Sequence, residues 1–231
     1  MAIVDFSVKR RLDEAIVADT PVRIRAYAVI SPTEEALNYV LENVLTKYDR
    51  SELIAPAYTI VKEMAINGAK ANIKRILFAE NNINIHDMAE YDRGMEIFRK
   101  NMNEDWMKQY AMKAREMNLY VDIVLDFNPH RLILEVINNC PISHKEHDRI
   151  REKFKKAIHY DNIAEFYLDG GDHEEGAGMG IVLITMLLKA QNLDPHLFTI
   201  HSDYVSKTIA RVELPITDEY VSRRHRYLQE A

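Results

Sequence analysis

Two short runs rich in apolar residues, Tyr120–Leu125 and Leu132–Ile137, flank the turn-forming Asn128-Pro129-His130. The first alternates, the second is almost continuously apolar, and the residues between them predict a β-hairpin. Helical patterns surround it. Ser31-Pro32-Thr33-Glu34-Glu35 combines a hydroxyl cap, a proline in the first turn and carboxylates at the positive end of the helix dipole, so a helix should run to about Tyr48. A second, Pro56 to about Glu80, carries Ile60, Met64, Asn67, Ala71 and Ile76 along one face, with Glu63 and Asn67 on or beside it. Residues 87–118 resume helical spacing through Met95, Phe98, Met102, Trp106 and Tyr110 after a break at Asn81–Ile85. One or two polar helices over 145–168 and an apolar helix ending near Lys189 follow. Strands at Val22–Ile30, Leu197–His201 and Thr208–Leu214 complete an α+β pattern, with a charged tail over 217–231.

Composition narrows the function classes. Thirty Lys and Arg against thirty-six Asp and Glu leave a net charge of −6, which disfavours non-specific binding to nucleic acid or an anionic membrane. A single cysteine, Cys140, excludes an intrachain disulfide and a cysteine-rich zinc site. The apolar run Ile181–Leu188 is far shorter than the ~20 residues of a membrane span. The opening MAIVDFSVKRRLDE lacks an apolar core with a small-residue cleavage site, so the expected location is the cytoplasm.

Two segments carry candidate chemistry. Five of the seven glycines are Gly170, Gly171, Gly176, Gly178 and Gly180, and the last three lead into the apolar helix. Exposed amides at such a helix start can hold an anionic phosphate, although a hinge or tight turn explains the same cluster. No strand immediately precedes it and no G-x-x-x-x-G-K-[ST] occurs, so it is neither a dinucleotide fingerprint nor a P-loop. In Glu63-Met64-Ala65-Ile66-Asn67-Gly68-Ala69-Lys70, Glu63 and Asn67 are one helical turn apart and share a face. The asparagine oxygen suits magnesium, the carboxylate could orient or deprotonate a water, and Lys70 could meet a phosphate. Taken alone, the segment is also an ordinary solvated helix face. Six of the ten methionines fall in 87–118, which reads either as a core-facing helix or as an adaptable partner surface.

The order of these pieces resembles the GHKL ATPase superfamily, which includes the ATP-binding domains of sensor histidine kinases, anti-sigma-factor kinases and gyrase. The resemblance spans roughly Arg25 to Ile216 and is carried by EMAINGAK, LILEVINNCPIS, and EGAGMGIVLITMLLKA with the LFTIHSD and KTIARVELP that follow. It implies a two-layer α/β sandwich of the histidine-kinase (Bergerat) type: a mixed, mostly antiparallel sheet, covered on one face by helices 34–48, 56–80 and 180–190. It further implies that Asn67 ligates the magnesium of Mg-ATP, that Glu63 is the base of hydrolysing members, and that Lys70 faces the phosphates. Gly176, Gly178 and Gly180 match the second glycine box at the end of a lid (about 143–179). Thr208 matches a threonine near the adenine, with Lys207 where a glycine is usual.

The sequence departs from the family in three places. The adenine-reading D-x-G-x-G is replaced by Asn138-Asn139-Cys140-Pro141-Ile142. An asparagine oxygen still accepts a bond from the adenine amino group, more weakly than an ionised partner. Residues 81–118 are surplus to a compact kinase domain and read as a helical insertion within one domain over 1–231, a candidate contact for a protein partner. The family's phosphoacceptor pattern, a histidine before an acidic residue ahead of the ATP domain, is matched outside the lid only by His86-Asp87, which comes after the asparagine box, so histidine autophosphorylation by this chain alone is not expected; His144, His147, His159 and His173 read as surface residues of the lid. The expectation is an ATP-binding protein in signal transduction, a stand-alone ATPase or anti-sigma-type protein kinase using ATP and magnesium. The alternative is an inactive scaffold of the same fold that grips a partner.

Overall fold

The computed structural model describes residues 6–29, 31–85, 87–101, 103–160, 163–168 and 179–230. Its centre is the hairpin of β2 (Val121–Asn128) and β3 (Arg131–Asn138), turned by Pro129 and His130. Asn128 Oδ1 accepts from the amides of His130 (2.9 Å) and Arg131 (3.1 Å), which closes that turn. With β1 (Val22–Ala26), β4 (Phe198–Ser202) and β5 (Thr208–Pro215) it forms a five-stranded sheet ordered β1-β2-β3-β5-β4. Every strand pair is antiparallel. The expected mixed sheet is therefore corrected to an antiparallel one among the described residues. Two hairpins, β2–β3 and β4–β5, set opposite directions locally, and β1 and β5 join the hairpin β2–β3 antiparallel on either side.

Alternation assigns the two faces. Val121, Ile123, Leu125, Phe127, Leu132, Leu134, Val136, Val212 and Leu214 belong to one core with α1 (Phe6–Val17), α2 (Ser31–Lys47), α3 (Ile54–Glu80), α6 (His144–His159) and α8 (Met179–Ala190). The opposite face carries ion pairs, Arg25 with Asp122 (2.8 Å) and Arg211 with Glu135 (2.6 Å). There, α9 (Arg223–Glu230), inside what reads as a charged tail, starts against Glu213, whose carboxylate accepts from the Arg223 amide at 3.0 Å and the Tyr220 hydroxyl at 2.6 Å.

The surplus segment is two helices, α4 (Met88–Asn101) and α5 (Glu104–Glu116), the second capped by Asn103. Phe98, Tyr110, Met95 and Trp106 pack on Ile73, Ile76, Leu77 and Phe78 of α3. Of the methionine–aromatic stripe, Met95, Phe98, Trp106 and Tyr110 are thus core-facing and Met102 lies outside the described residues, while Met88, Met112 and Met117 stay exposed. α3 serves both cores, the sheet with its first half and α4–α5 with its second. At 27 residues it is about 40 Å long, enough to do both.

Five helices end by one device. Asp19, Asp49, Asn82, Asn118 and Asn192 adopt left-handed φ of 50–55° just past α1, α2, α3, α5 and α8. The next amide then turns back to a carbonyl five residues earlier, as in Ile83 to Phe78 (2.8 Å) and Leu119 to Ala114 (2.7 Å). Asp and Asn tolerate this conformation, so these helices stop without glycine.

Candidate functional site

Gly68 brings α3 unusually close to the sheet: a Cβ there would sit 2.7 Å from Val121 Cγ1. That approach lets the Gly68 carbonyl accept from Asn138 Nδ2 at 3.0 Å, tying the helix to the end of β3. Around this point of α3 the two layers part at a cavity of about 140 Å³. Met64, Asn67, Gly68, Ala71 and Arg75 of α3 line it. Val136, Asn138 and Cys140–Ile142 line it from β3 and the turn after it, and Ile200, Thr208 and Ala210 from β4 and β5. Ile181 and Ile184 of α8 and Glu146 and Ile150 of α6 complete the wall. An engineered apolar cavity of ~150 Å³ binds benzene, so this space suits one flat ring.

The register explains which polar groups reach it. Asn138 and Thr208 are paired across β3 and β5 on the helix-facing side of the sheet. Thr208 Oγ1 donates to the Cys140 carbonyl at 2.9 Å, which holds the turn after β3 against β5. Asn138 is 5% exposed, and its Oδ1 has no hydrogen-bond partner among the described residues. The Gly68 carbonyl can only accept, so it fixes which end of this carboxamide is nitrogen and leaves the oxygen as the unpaired end. A buried acceptor without a donor is costly, and a ligand N–H would relieve it.

Beside the cavity, Asn67 Nδ2 donates to Glu63 Oε1 at 3.0 Å. This engages the amide nitrogen and not the oxygen that a magnesium ion would take. Gly180, at the start of α8, lies directly on this pair, since a Cβ at Gly180 would collide with Glu63 Oε1 and Asn67 Nδ2. Lys70 is half-buried on α3 and outside the cavity wall. Asn67, Asn138 and Thr208 therefore line one cavity, with Glu63 and Gly180 against Asn67 beside it, whereas Gly176, Gly178, His86 and His173 lie outside the described residues. Among the described residues no group of three or more His, Cys, Asp or Glu could hold a metal.

Two charged wall residues escape a reading of sequence alone: Arg75 and Glu146. Ser143-x-x-Glu146 has the pattern of a capping box, and the structure forms one at the start of α6. Glu146 also pairs with Lys74 and, at 2.6 Å, with Arg75, while Arg75 donates to the Pro141 carbonyl at 2.9 Å. Burial alone would push the Glu146 carboxyl up; the charges of Lys74 and Arg75, with hydrogen bonds from Lys74 and the Ser143 amide, bring it down to about 2. Further along this edge Tyr204 stacks on His144 at 4.3 Å and bonds to His147, so these two histidines pin α6 to the β4–β5 turn. Ile150, Phe154 and Ala157 pack α6 on the main core, so the first part of the expected lid is a docked helix.

Comparison with known proteins adds little chemistry. The chain is 28% identical over 205 residues, 89% of its length, to an uncharacterized protein of Treponema pallidum (strain Nichols). It spans 40% of that protein. No family model and no solved structure matches the chain. Among the described residues no helix is long and apolar enough to cross a membrane.

Proposed function

We propose that this chain is an ATP-binding module of the GHKL kind, with the histidine-kinase-like fold, acting in signal transduction as a stand-alone ATPase or an anti-sigma-type protein kinase. The observation that carries the reading is convergence. Asn67, Asn138 and Thr208, from α3, β3 and β5, line one mostly apolar cavity whose buried polar acceptor lacks a donor, and Glu63 and Gly180 meet Asn67 beside it. A purine amino group is such a donor, and the ring would lie among Met64, Ile181, Ile184 and Val136. The triphosphate, too large for 140 Å³, would run out past Asn67 and Gly180.

Asn67 would hold magnesium, which neutralises phosphate charge when bound. Glu63, already bonded to the Asn67 amide, would orient the attacking hydroxyl or water and take its proton. Asn138 would accept from the adenine amino group.

Calorimetric titration with Mg-ATP tests this. Binding should be measurable in the native chain, and Asn67→Ala should abolish its magnesium dependence without changing the circular dichroism spectrum. Absence of binding in the native chain, or unchanged magnesium-dependent affinity in the variant, refutes the assignment. A second reading, a scaffold that grips a protein partner through residues 81–118, draws on the exposed Met88, Met112 and Met117. It becomes the better one if Mg-ATP does not raise the melting temperature.

A further inference from the structure

The turn after β3 places the chain's only cysteine on the cavity wall. Cys140 is half-buried, its backbone is anchored by Thr208, and its Sγ lies 3.8 Å from the Pro141 carbonyl. The Arg75 guanidinium donates to the same Pro141 carbonyl at 2.9 Å and pairs with Glu146, so a cation and the thiol share one wall of the cavity. Lys74, Arg75 and Glu146 together leave one net positive charge at this end of the cavity. Partly exposed cysteines beside cations are those that exchange with disulfides, whereas fully buried ones are inert.

A lone thiol would carry nothing. Here, however, the same wall holds Asn138, nine-tenths buried with an unpaired oxygen, which independently marks the cavity as a ligand site. In a space of about 140 Å³ a group of even a few atoms attached to the sulfur would take much of the room.

We propose that Cys140 is a site of reversible modification by small disulfides, and that the adduct closes the cavity to its ligand. The deprotonated Cys140 sulfur attacks one sulfur of the disulfide. A new S–S bond forms, the original one breaks, and the departing half leaves as a thiolate that takes up a proton. Cys140 is oxidised, the departing half is reduced, and a small thiol reverses the exchange. With no second cysteine in the chain, no internal disulfide competes. The proposal rests on the cavity being a ligand site, as in the proposed function, but not on that ligand being a nucleotide.

The test uses the full chain and 2-hydroxyethyl disulfide, a small uncharged probe followed by intact mass. One adduct should form on the native protein, be removed by dithiothreitol and be absent from Cys140→Ser. The methyl NMR signals of Ile142, Ile184 and Ile200 should shift with the adduct. A native rate more than roughly 100-fold below that of the urea-unfolded chain means the thiol is shut away and overturns the proposal, as does an adduct that leaves those methyls unmoved. Where reduced protein binds Mg-ATP, the adduct should lose that binding and regain it on reduction; binding retained by the adduct overturns the blocking step. Where reduced protein does not bind Mg-ATP, the nucleotide reading fails by itself and the methyl shifts alone decide the fate of Cys140.

Discussion

Replacing Glu146 by glutamine removes the carboxylate that pairs with both Lys74 and Arg75 between α3 and α6. Its side chain is 9% exposed, so solvent screening is weak. In the folded state its carboxyl sits at about 2, against 4.5 ordinarily. Each tenfold change in proton affinity is worth ~1.4 kcal/mol, so at neutral pH the ionised group stabilises the fold by roughly 3 kcal/mol. A depressed carboxyl contributes fully above its unfolded value and loses that contribution as pH falls toward its folded one. The gap between the native chain and Glu146→Gln, measured by urea unfolding, should therefore be roughly 3 kcal/mol at pH 7 and nearly the same at pH 5.5. It should fall to less than half by about pH 3. Removing one partner of a buried pair typically costs ~3–5 kcal/mol, which agrees in size. A gap below about 1 kcal/mol at pH 7, or one that stays constant down to pH 3, would refute the argument that paired charge and not shape makes Glu146 matter.

Two glycines should separate stability from function. Gly180→Ala meets only the ends of two flexible side chains, Glu63 and Asn67, so urea unfolding should change by less than about 1 kcal/mol while Mg-ATP affinity falls at least ~10-fold; equal losses in both would show that Gly180 is merely structural. Gly68→Ala drives a methyl into Val121, a stiff β-branched residue inside the sheet, and should cost about 1–3 kcal/mol in the same assay, with a neutral outcome removing the close-approach argument.

Much of the fold is legible locally. The Ser31-Pro32 start, the 3.6-residue spacing of α3, the Asn128-Pro129-His130 turn and the Ser143–Glu146 spacing each act within one turn or hairpin, and each element forms where these signals stand. Helix α1 and helix α9 are less legible, because α1 gains Leu12 and Ile16 as core residues only by docking and α9 begins on Glu213, ten residues before Arg223. For the site, Glu63 and Asn67 are a pair already at the level of one helix. What joins them to Gly180, or opposes Asn138 to Thr208, is α8 docking on α3 and the register of β3 with β5.

The amino-acid order by itself determines the elements and which residue types face one way along each, since periodicity, capping and turn chemistry are short-range. Only the tertiary structure decides that the sheet is antiparallel throughout, that Gly68 lets α3 close on Val121, and that a ring-sized space with an unpaired Asn138 oxygen lies beside Cys140 and Arg75. A cavity is the volume that packed elements fail to fill, and that quantity exists only once layers separated by some seventy residues of chain have met.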